Sequence, residues 1–154
     1  MSDSRHDTID HITKVRARLV EFQVLLDTRA ALHDRSKLKE PEKSGYDRLA
    51  ADLKDIVYGT DEYRAALAAA KPVIDHHYAH NSHHPEHYPN GIAGMTLLDI
   101  VEMACDWAAA ADRYGGLTLA SLESNRKRWV ISDQLYSILL NTYHELGWLK
   151  DDSK

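Results

Sequence analysis

Six of the chain's ten histidines fall within DHHYAHNSHHPEHY, from Asp75 to Tyr88. Imidazole titrates near neutral pH and is also a common metal ligand, so such a run could move protons or hold an ion. The adjacent pair His33-Asp34 offers related chemistry. Imidazole and carboxylate together suit divalent first-row ions, the carboxylate favouring the harder ones. A third group is Asp99, Glu102 and Asp106, which form one acidic stripe if their segment is helical. Met103, Trp107 and Ala110 flank that stripe, and Val101 and Ala108 lie opposite it. The stripe is therefore either a solvated face or a set of buried carboxylates, which would need partners such as a cation.

The elements that must position these groups read as helices. Ile12, Val15, Leu19, Phe22 and Leu26 recur at steps of three and four, which predicts a helix over about residues 5–27. Ser4 and Asp7 have the spacing of a capping box at its start. His11 falls inside the apolar stripe, either as a core histidine bonded to a carbonyl or as a pocket residue, and His6 falls on the opposite face. RAALHDRSKL is expected to form a short second helix that returns to bring His33 toward His11. KEPEKSG, with Pro41 and Gly45, reads as a charged loop.

Tyr46, Leu49, Leu53 and Ile56 mark a third helix. Tyr63, Leu67, Ala70, Ile74 and His77 mark a fourth, kinked at Pro72. His77 continues the apolar face of that helix and is expected inside, whereas His76 and His80 are rotated off it. His83 and His84 lie beyond the expected helix end. His87 is assigned to the surface with His76 and His80. Further helices are expected over about 96–114, over 119–128, and from Ser132-Asp133 to Gly147. No alternating strand pattern competes, so the expectation is one all-α domain of about six helices over 1–154.

The net charge of -5 predicts no bulk attraction to nucleic acid, so any anion site must be local. Arg126-Lys127-Arg128 is the densest basic cluster, either a solvated run or a phosphate clamp through Arg126 or Lys127. A single cysteine, Cys105, cannot form an intramolecular disulfide and fits a reducing cytoplasm. MSDSRHDTID has no apolar run of the signal-peptide kind, and no window approaches the roughly 20 apolar residues of a membrane span.

In order along the chain, His11, His33-Asp34 and an aspartate at 96–114 resemble the H…HD…D signature of the HD-domain metal-dependent phosphohydrolases. More narrowly, HDRSK, NSHHPEH, EMACDW, and SNRKRW with ISDQL resemble a family of small phage and bacterial HD-like proteins. The chain lacks the GYP element of the cyclic-dinucleotide phosphodiesterases. The resemblance implies an all-α fold and a metal site with ligands His11, His33, Asp34 and Asp106, EMACDW favouring Asp106 over Asp99. Glu102 would then be a partner to a ligand or a base.

The implied activity is hydrolysis of a nucleotide or another small phosphoester, in the cytoplasm of a bacterium or a phage-infected cell. The ion would be Mn, Co, Fe, Ni, Mg or Zn. His77, His83 and His84 would donate a proton to the leaving group or hold a second ion. Glu86 would orient one of them. Lys37, one turn after Asp34, is placed to reach the phosphate. A homodimer is compatible with this expectation. Two other readings keep the residues and change the chemistry: a di-iron oxygenase or lyase on the same fold, and a non-catalytic phage protein that binds a metal or nucleotide.

Overall fold

The computed structural model describes residues 4–57 and 59–150, so the parts of the expected 1–154 domain at 1–3, 58 and 151–154 lie outside the described residues. The fold is all-α. Among the described residues seven α-helices follow in order: α1 (Arg5–Leu32), α2 (Glu42–Leu53), α3 (Asp61–Ala69), α4 (Lys71–His80), α5 (Leu97–Asp112), α6 (Leu119–Trp129) and α7 (Asp133–Glu145). Short 3-10 turns cover Arg35–Leu38, Pro85–His87 and Gly91–Gly94. Among the described residues no strand forms, and an isolated β-bridge joins Leu117 to Leu149.

Close contacts group the chain into two compact units, the first ending at His33 and the second beginning at Asp34. The first unit is essentially α1. Its apolar pattern stops at Leu26, but RAAL, which follows Asp27 and Thr28, consists of strong helix formers. The helix therefore runs unbroken to Leu32, and no hairpin forms. None of its residues is buried, and Ser4 caps it without a side-chain bond, so the expected capping box is not made.

In the second unit the order begins at Asp34, whose backbone lies in the left-handed region (φ 55°, ψ 12°). A non-glycine residue there costs on the order of 1 kcal/mol, a cost lower for aspartate than for most. The left-handed step leads the chain into the turn Arg35–Leu38. What reads as a charged loop is the start of α2, with Pro41 at its N-cap and Glu42 in its first turn. Gly45 is a helical residue of α2 rather than a loop residue. A Cβ there would sit 2.6–2.9 Å from the Val73 side chain, so the missing side chain lets α2 approach α4 closely. Pro72 does not kink a long helix. It lies in the first turn of α4, a separate helix from α3, where its missing N–H is harmless.

The apolar core gathers on α5, α6 and α7. Ala104, Leu117, Leu122, Ile131, Leu139 and Tyr143 are buried together, and Ile100, Trp107 and Leu135 pack around them. The Tyr143 hydroxyl donates to the Ala104 carbonyl at 3.1 Å, which satisfies the phenol inside that core. Val130 closes α6 in the left-handed region (φ 51°).

Candidate metal centre

The second unit brings Asp34, His77, His83 and His84 together, one ligand atom from each lying within 4.8 Å of all the others. Four separate local structures deliver them. Asp34 comes from the left-handed step, His77 from the last turns of α4, and His83 and His84 from the loop before the Pro85 turn. Asn81 ends α4 in extended geometry and its amide donates to the His77 carbonyl at 2.8 Å, which turns the chain toward His83.

The two innermost imidazoles are oriented by carboxylates. His77 Nδ1 lies 2.8 Å from Glu42 Oε2, and His83 Nδ1 lies 3.3 Å from Glu102 Oε1. A carboxylate only accepts, so a ring whose Nδ1–H bonds to its carboxylate turns a lone pair on Nε2 to the other side. Those Nε2 atoms point at one oxygen, Asp34 Oδ1, at 3.2 Å from His77 and 3.5 Å from His83. His84 Nε2 stands 3.0 Å from His77 Nε2. Donors held about 2.0–2.2 Å from a single ion are themselves about 2.9–3.5 Å apart, so these spacings match one coordination sphere. The carboxylate–histidine pairs are the usual device that fixes the tautomer and ring direction of a ligating histidine.

Electrostatics favour a neutral imidazole at His84. Burial first, and then the neighbouring His83 and His77, push the His84 pKa down to about 3. Glu42 is fully buried, which alone would raise its pKa, but hydrogen bonds from Ser36, His77 and His76 outweigh burial and hold it below the usual value. Ser36 donates to Glu42 at 2.8 Å, and Asn81 donates to Ser36 at 3.0 Å. Lys37 donates to Asp34 Oδ2 at 2.6 Å and lies over the Tyr46 ring. The residue expected to reach a phosphate is thus tied to Asp34.

On α5 the three acids divide. Asp99 is fully buried but committed to the helix start, accepting from Thr96 N, Thr96 Oγ1, Ser82 Oγ and Tyr88 OH. Asp106 brings a carboxylate oxygen within 4.8 Å of one on Asp34, and Glu102 faces His83.

Several expected roles change. His11 and His33 cannot share an ion within one chain, because α1 is continuous between them and separates them by about 33 Å at ~1.5 Å per residue. His11 is exposed on α1, and His33 ends that unit, its N–H donating to Arg29 O at 2.7 Å. The three histidines expected at a second ion instead share Asp34, the residue expected at the first. Glu86, expected to orient an imidazole, lies 3.5 Å from Arg128 Nη2 instead.

His76 and His87 are half-buried rather than surface residues. His76 Nδ1 is 2.9 Å from Glu42 Oε1, and His87 Nδ1 is 2.9 Å from the Tyr78 carbonyl. His80 is exposed and stacks on His76. Arg126 is held by Asp133 at 2.6 Å and by Glu123 at 3.3 Å, so it is no clamp for this cluster, and Lys127 is exposed.

Glu42 is not singled out by the sequence, and Arg128 stands there only as one member of a basic cluster. Pro41 before Glu42 is a helix-start signal that the charged surroundings hid. Arg128 lines a cleft that also contains His84, a proximity no spacing rule reveals.

The fold and the site define an all-α protein with buried histidine and carboxylate groups that could hold a metal. A model described as a family of unknown function, DUF5662, matches residues 1–145, and the chain belongs to that family. No curated protein and no solved structure matches it. Among the described residues no helix is long and apolar enough to cross a membrane.

Proposed function

We propose that the chain is a metal-dependent hydrolase of small phosphoesters, with a divalent ion held by Asp34, His77, His83 and His84. The observation that carries this reading is the aim of two carboxylate-braced imidazoles at the same oxygen of Asp34. Three nitrogens and one oxygen suit Zn, Fe, Co, Ni or Mn better than Mg, which favours all-oxygen sites. Asp106, beside Asp34, is a further ligand or the partner of a second ion.

A bound divalent ion would supply a Lewis acid and lower the pKa of a water held there. The chain's own groups would do the rest. Water would add to phosphorus, the bond to the leaving alcohol would break, and the alkoxide would take up a proton from solvent water. Glu102, which lies at His83 Nδ1, would accept the proton lost by water. Lys37 would hold Asp34 in place and offer its positive charge to the phosphoryl oxygens.

The test is phosphate release from a panel of phosphomonoesters and phosphodiesters with added Mn²⁺, Co²⁺, Ni²⁺, Zn²⁺ or Mg²⁺. Release that requires metal and is lost in Asp34→Ala is the expected result. No release with any ion, from protein shown to bind metal, would remove the hydrolase reading and leave a binding protein.

A further inference from the structure

A cleft of about 330 Å³ opens beside the centre, and His84 lines it. His84 therefore belongs to two structures, because its Nε2 is 3.0 Å from His77 Nε2 in the cluster. The remaining walls come largely from α5 and α6. Trp107 and Trp129 supply flat apolar surfaces, Asn125 supplies an amide, and Arg128 supplies a cation. The Arg128 guanidinium lies over the Trp129 ring, 4.3 Å from its centroid, and so presents a planar charge within the cleft. Arg128 also approaches Glu86, which fixes it at that edge.

These groups select a shape and a charge. Tryptophan and guanidinium planes stack on flat rings. An amide reads a ring edge that carries both a donor and an acceptor. A cation at the wall favours an anionic ligand. The volume lies at the lower end of the range for small-molecule sites, enough for a ring system but not for a macromolecule.

We propose that this cleft receives a flat heteroaromatic ring of the substrate, so that the phosphoesters served by the centre are ring-bearing ones. Trp107 and Arg128 stack or flank the ring, Asn125 reads its edge, and His84 marks the end at which the phosphoryl group meets the cluster. The proposal rests on the phosphoester reading for its phosphoryl end, while its ring end stands on the cleft alone.

Two of the three tryptophans line the cleft, so ligand entry can be followed by tryptophan fluorescence in the full chain. The probes are adenosine 5′-monophosphate, adenosine and glycerol 2-phosphate, each titrated into wild type and into Asp34→Ala, which cannot turn them over. Saturable quenching by adenosine and its monophosphate, at concentrations at least about fivefold below those needed for glycerol phosphate, is the expected result. Trp107→Ala and, should that variant fold poorly, Asn125→Ala should each weaken ring binding by at least about fivefold while metal affinity stays unchanged. Ring binding without turnover of any phosphoester would keep the cleft and remove the hydrolase. Turnover of glycerol phosphate as efficient as that of the ring-bearing ester, or no saturable quenching by either ring probe, would overturn the cleft proposal and leave the hydrolase standing.

Discussion

Two regions of the second unit are equally hidden from water and held in opposite ways. Leu122 and Tyr143 in the apolar core are 0% exposed, and Glu42, His77, His83 and Asp99 are at most 2% exposed. The apolar core is held by packing, which has no direction and tolerates exchange of one apolar group for another of like volume. The polar region is held by hydrogen bonds with fixed donors and acceptors. Glu42 alone meets Ser36, His76 and His77. Such a network is stable only when every member is satisfied, and it specifies group identity rather than volume. The core governs how stable the unit is, and the network fixes the groups that could hold a metal.

The largest expected effect separates these roles. Leu122→Ala should lower unfolding stability by about 2–5 kcal/mol, measured by urea titration, because the closed core cannot collapse onto the missing methyls. While still folded, that variant should bind metal like wild type. A large loss of metal affinity in folded Leu122→Ala would mean the two regions are coupled more tightly than described.

The converse substitution is Glu42→Gln. It keeps size and removes the carboxylate that orients His77. Metal affinity should fall about 10–100-fold by calorimetric titration, as expected when the partner of a ligating histidine is lost. Unchanged affinity would show that His77 does not depend on Glu42 for its direction.

Asp99 gives a smaller and pH-dependent effect. Burial alone would raise its pKa, but bonds from Thr96, Ser82 and Tyr88 overcome that and lower it below the usual 3.8. A carboxyl depressed by folding adds stability above its unfolded pKa and loses it as pH falls toward the folded value. Urea midpoints should therefore drop as pH is lowered from about 4, and Asp99→Asn should flatten that part of the curve. A wild-type profile that is flat there would contradict the assignment of Asp99 to structure through its charged form.

The smallest effect is at Val130, 87% exposed and held at φ 51°. A β-branched residue is poorly suited to that conformation and glycine is well suited, so Val130→Gly should stabilise by roughly 0.5–1 kcal/mol. Thermal unfolding checks it, and a fall in Tm would mean that Val130 makes a contact worth more than the strain.

The contrast also explains what could be read from the sequence. Helices α5 and α7 follow from apolar spacing, since Val101, Ala108, Leu135 and Leu139 repeat at helical intervals. His77 was legible because it continues such a face. The continuation of α1 through Leu32 was not, because propensity carries those residues without an apolar stripe. That one misplaced helix end paired His11 with His33. Glu42 and Gly45 looked like loop residues because their signal is a distant partner, His77 for one and Val73 for the other. Asp99 and Asp106 share a stripe on α5, and only the Thr96 cap and the position of Asp34 tell them apart.

The central claim is that Asp34, His77, His83 and His84 form one coordination sphere. X-ray absorption on protein loaded with one equivalent of Zn²⁺ or Co²⁺ tests it directly. The expected spectrum shows a nitrogen- and oxygen-rich shell at about 2.0–2.1 Å with the outer-ring scattering of three imidazoles, falling to two in His77→Ala. A spectrum with no imidazole scattering, or one that His77→Ala leaves unchanged, would contradict it.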